Sequence, residues 1–562
     1  MQRICHQCRA EFAFSDAEQD FLKRMQFTFG KMKVDLPEPL YCPACRLQLK
    51  TCHRNERYLY KGKSNLSGKD MVSLYDEGSP WGNSYTVFAQ DEWHSDAWDG
   101  MEYGKDINLE RSIFEQLSEL TKAVPRMGLI TVGNENSDFT TGTGYCKNCY
   151  LINSSEYCED CYYGKLVQSS RNCVDSSYVY DSEQCYDCTT VYACHSCTHL
   201  LFSKNCSDCH FSTSLIGCRN CLLCSNLRQK EYCIRNQQVS REEFEKEIVR
   251  FRGMHGATEN LRKEWRTIES ERIHRTSNIV NSEGCTGDYI ENCKHCIDCF
   301  DLTGSQDCRH AYVGVTIKDV QHCANMYLKV ELCLDILGAI EIYHSAYSLF
   351  CFYSQNLLYC EYCWHCRDCF GCNGLKQKQY CIFNTQYTKE EYEKLVPQLI
   401  ASMRKNGEWG EFFPRKNAPF GYNESLAQEY FPLTKDEALK QGFLWRDIAD
   451  RVPGAKQVLP AHMLPDSIED IPDDVLEWAI QCEKTSRPFR IIKQELDFYR
   501  LQKLPIPHLH PDVRYDERLA WRNPRKLWQR KCGKCEKSIE TTYAPDRPEQ
   551  VYCEKCYLKE VY

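Results

Sequence analysis

What this chain lacks narrows the field before anything it contains. None of its 562 residues fall in a run of the eighteen or so apolar residues that a membrane-spanning helix needs. The opening "MQRICHQCRAEF" has no apolar core of the kind a secretory signal carries, so a cytoplasmic protein without a membrane partner is expected. No phosphate-cradling loop, nucleophile elbow or H-E-x-x-H pair is present. No catalytic residue is assigned: "HSDAWD" (94–99) groups His94, Asp96 and Asp99 beside tryptophan, but such clusters are usually packing or surface features. Glycine and proline are scarce where the strongest pattern lies. Residues 146–233 hold glycine only at 164 and 217 and no proline, which excludes a polyproline-type helix.

Charge is not lacking, but it is segregated. Residues 1–63 carry 12 basic and 7 acidic side chains, and residues 479–535 carry 14 and 6, within a chain of net charge −9. Basic ends therefore flank an acidic middle, and a polyanionic partner would meet the ends.

Cysteine is abundant, at 39 residues. In a reducing compartment these read as metal ligands or buried thiols before disulfides. Between 146 and 233 all 15 cysteines share one frame of three, and Cys149, Cys161, Cys173, Cys185, Cys197, Cys209, Cys221 and Cys233 form an unbroken twelve-residue ladder. Ile152, Ser155, Val167, Val179, Leu200 and Leu215 keep the frame where cysteine is absent. One residue in three points inward. A 3₁₀-helix has that period but does not persist over such a length. A solenoid of short β-coils does, with one inward residue on each of four sides and equivalent positions stacked. Twelve extended residues make a perimeter of about 40 Å, which leaves room for small side chains only. Asn148, Asp160, Asn172, Asp208 and Asn220 precede ladder cysteines and suit left-handed corners. A 24-residue coil of two such halves fits the spacing nearly as well.

The pattern recurs at an offset of 148, where "CLLCSNLRQKEYCIRNQQVSREEFEKEI" (221–248) aligns with "CFGCNGLKQKQYCIFNTQYTKEEYEKLV" (369–396). In this copy the ladder reads Cys381, Cys369, Leu357, Ser345, Cys333, Val320, Cys308, Cys296 and Cys285, with one spacing of thirteen and one of eleven, predicting two single-residue slips. After each copy a helix is predicted to open on a capping box, Ser240 with Glu243 and Thr388 with Glu391.

Outside the ladders, Cys5 and Cys8 pair with Cys42 and Cys45, and Cys532 and Cys535 with Cys553 and Cys556. Four thiolates on two knuckles suit a closed tetrahedral zinc site, so about two structural zinc ions are expected; Cys52 reads as a buried thiol. The elements "CHQCRAEFAFSDAEQDFLKRM" and "PEPLYCPACR" resemble a small bacterial zinc-ribbon domain family over residues 1–50, which implies zinc on the first four cysteines. The layout as a whole, ending "YAPDRPEQVYCEKCY", also resembles uncharacterised zinc-ribbon and cysteine-repeat proteins of candidate-phyla bacteria. The first ribbon is duplicated within the chain, since "LPEPLYCPACR" (36–46) matches "LPIPHLHPDVR" (504–514). In this copy Thr485, His510 and Val513 replace three cysteines. Only Cys482 and His510 remain as ligands, with His508 a lesser alternative, and the copy is read as a ribbon without zinc.

The expected fold is mostly β and multidomain: two Cys-cored, twelve-residue-repeat β-solenoids with helical inserts, flanked by zinc ribbons. In order these are a ribbon (1–60), a mixed connector (61–127), a solenoid (128–238), a helical linker (239–275), a second solenoid (276–386), a helix and irregular connector (387–478), the degenerate ribbon (479–530) and a closing ribbon (531–562). The expected function is a non-catalytic zinc-binding scaffold. A basic line of Arg46, Arg54, Arg57, Arg514, Arg522, Arg525 and Lys526, with Trp528, points to RNA, DNA or a ribonucleoprotein. Outward tyrosines (Tyr150, Tyr157, Tyr162, Tyr163, Tyr178, Tyr180, Tyr186, Tyr192) form candidate protein-binding stripes. Two rivals stand: a thiol-rich metal or redox store, and a β-helix carbohydrate-active enzyme using Asp160, Asp175, Asp187 and Asp208.

Overall fold

The computed structural model describes every residue except 80, 82, 83, 319–323, 335, 448–453 and 562. The chain forms two compact units, each built from separated stretches. One comprises Met1–Leu129, Ser277–Arg446 and Pro524–Leu527, the other Ile130–Thr276, Asp447–Asn523 and Trp528–Tyr562. Strands hold 30% of residues and helices 26%, so strand leads but helices contribute more than the expected mostly-β class implies. Among the described residues no helix is long and apolar enough to cross a membrane.

The unit that includes Ile130 is organised around an eleven-stranded sheet in chain order, from Thr131–Val132 to Gln237–Gln238. Its strands are parallel until a closing hairpin, and Val167, Val179 and Val191 pair in succession, as do Cys209, Cys221 and Cys233. Bridges at the same spacing run in other rows, from Lys147 to Glu159 to Arg171 and from Tyr150 to Tyr162 to Val174. Twelve residues, not 24, separate these partners, and the arrangement is solenoid-like.

A regular backbone device underlies this. From Tyr145 to Arg235 every third residue has a positive φ between 46° and 64°, and Gly217 is the one glycine among them. The sequence reading placed such corners at Asn and Asp alone; Tyr157, Leu166, Thr190 and Phe211 occupy them too. Each non-glycine corner costs on the order of 1 kcal/mol. Hydrogen bonds along the stack offset that cost. The corner amide of Asn148 donates back to the Glu135 carbonyl (3.0 Å), and the amide of Tyr150 donates ahead to the Cys161 carbonyl (3.1 Å).

Where the inward residue is serine, it meets the amide of the inward residue one coil later. Val167 N–H donates to Ser155 Oγ and Leu215 N–H to Ser203 Oγ, both at 3.0 Å. Sulfur serves similarly, as when Asn236 N–H donates to Cys224 Sγ at 3.4 Å. The thiols also donate: Cys158 Sγ lies 3.3 Å from the Glu156 carbonyl and 3.1 Å from that of Val167. Cysteine and serine recur inside because both are small and carry a donor and an acceptor. The buried thiols of the ladder therefore bond as well as fill.

The other unit holds a twelve-stranded sheet from Ile279–Val280 to Thr385–Gln386, again parallel before a final hairpin. Both slips exist. Ile279 pairs with Ile290 and Glu283 with Lys294, eleven residues on, before Gly287 pairs with Cys299, twelve on. Gly287 absorbs the change at φ +133°, where a Cβ would come within 1.7 Å of the Cys299 carbonyl oxygen. The thirteen-residue spacing appears where Ile317 pairs with Val330; the predicted position, Val320, lies outside the described residues. Rings twelve apart stack, including Tyr347 on Tyr359 and Phe350 on Tyr362.

The predicted caps form unequally. Thr388 and Glu391 cap the helix Lys389–Lys405 reciprocally, whereas Ser240 supplies only its hydroxyl to the Glu243 amide. The helical linker is two helices, Arg241–Phe251 and His255–Glu271. Phe244, Ile248, Phe251 and Trp265 from them bury against Leu201, Phe211 and Leu222 of the sheet. Burying an aliphatic or aromatic side chain contributes about 1.5–3 kcal/mol, so this face holds the helices in place.

Candidate metal centres

Three segments share one knuckle. In the first, Cys5 N–H donates to Ala10 O, Arg9 N–H to Cys5 O and His6 N–H to Leu40 O. In the degenerate copy the same bonds join Cys482 to Arg487, Ser486 to Cys482 and Glu483 to His508. In the C-terminal segment they join Cys532 to Lys537, Glu536 to Cys532 and Gly533 to Val551. Arg9, Ser486 and Glu536 all take a positive φ at the same turn. The duplication legible in the sequence is thus present in the backbone.

The first and last knuckles each bring four sulfurs together: Cys5, Cys8, Cys42 and Cys45 in one, Cys532, Cys535, Cys553 and Cys556 in the other, each set within 4.8 Å. The Cys8–Cys42 sulfurs lie 3.7 Å apart and the Cys535–Cys553 sulfurs 3.8 Å apart, far beyond a disulfide bond. Backbone amides point at the sulfurs, Cys42 N–H to Cys5 Sγ at 3.3 Å and Cys553 N–H to Cys532 Sγ at 3.2 Å. Such donors favour thiolate. The Cys45 thiol and amide hold Cys42 down to about 5 against the opposing effect of burial. Burial raises Cys532, but the amides of Cys553, Cys535 and Lys534 bring it to about 6. Both sets are compatible with a bound metal ion.

The remaining candidate ligands go elsewhere. Cys52 is buried, donates to the Leu49 carbonyl at 3.0 Å and is pushed up to about 12 by burial. In the copy, His510 caps the helix Pro511–Ala520 by accepting from the Asp512 amide at 3.1 Å. An apolar cluster including Ile480, Phe489, Ile491, Leu496 and Ile506 stands in the copy instead.

The basic line is turned largely inward. Arg46, Arg54 and Arg514 are buried, and Arg54 pairs with Glu56 at 2.7 Å. Arg514 reaches Asp175 and lies 3.3 Å from Glu495, while Arg518, absent from the basic line drawn from sequence, pairs with Asp175 at 2.9 Å. Arg522 sits 3.7 Å over the Tyr178 ring and donates to Thr190. Arg525 pairs with Asp301 at 2.9 Å. Arg57 and Trp528 are half-buried and Lys526 is exposed.

The tyrosine stripes need correction. Tyr162, Tyr163, Tyr178 and Tyr186 are buried, and three of them pack under the segment containing the ribbon copy. Tyr150, Tyr180 and Tyr192 are half-covered. Tyr157 remains 59% exposed, stacked on Tyr145 at 5.1 Å. Covering explains the difference: an outward β face reads alike in sequence whether solvent or a helix lies over it.

The four aspartates considered for carbohydrate chemistry all occupy left-handed corners. Asp175 is consumed by the two arginines, and Asp187 pairs with Arg262 at 2.8 Å. Asp99 caps the turn at Met101 and pairs with Lys378, and His94 lies edge-on to Trp364. No family model, curated protein or solved structure matches the chain.

Proposed function

We propose that this protein is a non-catalytic, zinc-binding scaffold: two cysteine-cored solenoids of twelve-residue coils, with zinc ribbons at the chain ends. The observation that carries the reading is the sulfur spacing of 3.7 and 3.8 Å in the two four-cysteine sets. A tetrahedral zinc ion with bonds of about 2.3 Å sets its sulfurs about 3.8 Å apart, with no position left for a substrate. Amide donors aimed at those sulfurs are the outer support such sites carry.

The core cysteines support scaffolding over a thiol store. Among the described residues they are nearly all buried, and thiols such as Cys158 are bonded to carbonyls of their own coil stack. Nucleic acid remains a candidate partner, but the engagement of Arg514, Arg522 and Arg525 within the fold counts against the basic line as its binding surface. The exposed Tyr145–Tyr157 stack offers a protein partner a flat aromatic face. Metal analysis of the purified chain tests the core of the proposal. Zinc held by both four-cysteine sets, with no copper, iron or sulfur-cluster absorbance, is the expected result. Cluster absorbance, or many soft-metal ions per chain, would overturn it in favour of the store. Salt-dependent retention on RNA or DNA would restore the nucleic-acid reading.

A further inference from the structure

We propose a third metal site, beside the knuckle that keeps only Cys482 of its four cysteines, formed by His255, Glu483 and His508. One donor atom from each lies within 4.8 Å of the others. The three come from two elements: His255 opens the helix His255–Glu271, and Glu483 and His508 stand side by side on the ribbon copy. The backbone bond from Glu483 N–H to the His508 carbonyl (3.1 Å) is the counterpart of His6 to Leu40 in the first ribbon. The knuckle that elsewhere presents sulfur therefore presents a carboxylate and an imidazole, displaced outward by one residue at Glu483 and by two at His508.

The local geometry suits an ion. The His255 and His508 rings stack at 11° with centroids 3.5 Å apart, and one nitrogen of each lies within 4.8 Å of the other. Glu483 Oε1 faces His508 Nδ1 at 2.6 Å, so an ion bound between them would take the place of the proton they share. His508 is 8% exposed and His255 half-buried, so the rings are held by packing. A cavity of roughly 150 Å³ adjoins all three, with Thr258, Arg266, Lys484 and Glu517 also on its wall. Two imidazoles and one carboxylate select a divalent transition ion such as Zn²⁺ or Co²⁺, not Ca²⁺ or Mg²⁺. Three protein donors leave coordination open toward the cavity, unlike the closed four-cysteine sets. This site binds more weakly and exchanges faster than either ribbon.

Cobalt titration of the full chain tests it. After two equivalents marked by intense sulfur-to-cobalt absorbance, a third should bind with only the weak visible bands of nitrogen and oxygen ligands. His255→Ala and His508→Ala should each remove that third equivalent and leave the first two, and Glu483→Gln, which takes away the anionic donor, should weaken it markedly. His255 is half-buried, so its variant should keep the wild-type melting temperature and decides the matter even if His508→Ala folds poorly. Saturation of wild type at two equivalents, or a third that survives His255→Ala, overturns the site and leaves the ribbon zinc untouched. Absence of the sulfur-type equivalents would instead overturn the proposed function.

Discussion

Cysteine does two jobs in this chain, and the contrast between knuckle and coil shows that placement, not residue type, sets the chemistry. In the knuckles the sulfurs face one another at 3.7–3.8 Å and receive backbone N–H bonds, which stabilises thiolate. In the coils each thiol faces its own stack. Cys188 receives its carbonyl neighbours Tyr186 (3.4 Å) and Cys197 (3.5 Å) as hydrogen-bond acceptors, and burial pushes its pKa up. The knuckle sulfurs face one another, whereas the Cys188 thiol faces backbone carbonyls, so the two placements offer different bonding.

The largest effect should come from the knuckles. Structural zinc contributes about 10–16 kcal/mol of apparent binding energy in small metal domains, where folding and binding are one event. Cys42→Ser should therefore abolish metal at the first site, and hydrogen exchange should rise across 1–60. Protection should persist across 478–520, because that copy is held by an apolar cluster instead. Equal loss in both segments would show that the copy depends on the metal-bearing ribbon.

A smaller effect should follow from breaking the buried ion pairs of Asp175. Asp175 is 1% exposed and answers both Arg514 and Arg518. Removing its charge strands two buried guanidinium groups, and loss of one partner of a buried pair typically costs about 3–5 kcal/mol. Asp175→Asn should lower the melting transition of the unit that includes Ile130 and leave the zinc content unchanged. A shift below about 1 kcal/mol would place the docking energy in the apolar cluster.

Much of this was legible in the sequence. The frame of three, the ladder of twelve, both slips and the eight knuckle cysteines follow from spacing alone, since repeats stack equivalent positions and metal sites need paired ligands. The ribbon copy was legible because "LPIPHLHPDVR" keeps the backbone-shaping residues of "LPEPLYCPACR". Burial of Arg514 and Tyr163 was not. Both belong to patterns that look the same on a solvated surface, and their cover comes from segments more than three hundred residues away. The histidine cluster was hidden for a related reason: His255 lies in the helical linker, far in sequence from Glu483 and His508, and no spacing rule joins them. The left-handed corners at Leu166 and Phe211 were missed because residue preference there yields to the coil.

The smallest effect should fall in the coils, and it separates filling from bonding. Cys188 is fully buried in the column that also holds Ser176, Leu200, Ser212 and Cys224. Ser176 Oγ already accepts the Cys188 amide at 3.2 Å, and Ser212 Oγ accepts that of Cys224 at 3.0 Å. Cys188→Ser places the same acceptor under Leu200 and should cost about 1 kcal/mol or less. Cys188→Val keeps the apolar volume but leaves the Leu200 amide without its acceptor, at a cost of about 1–3 kcal/mol. Thermal melts of the two variants give the order. Valine tolerated better than serine would mean that the thiols serve as packing alone, and the hydrogen-bonding account of the cysteine ladder would fall.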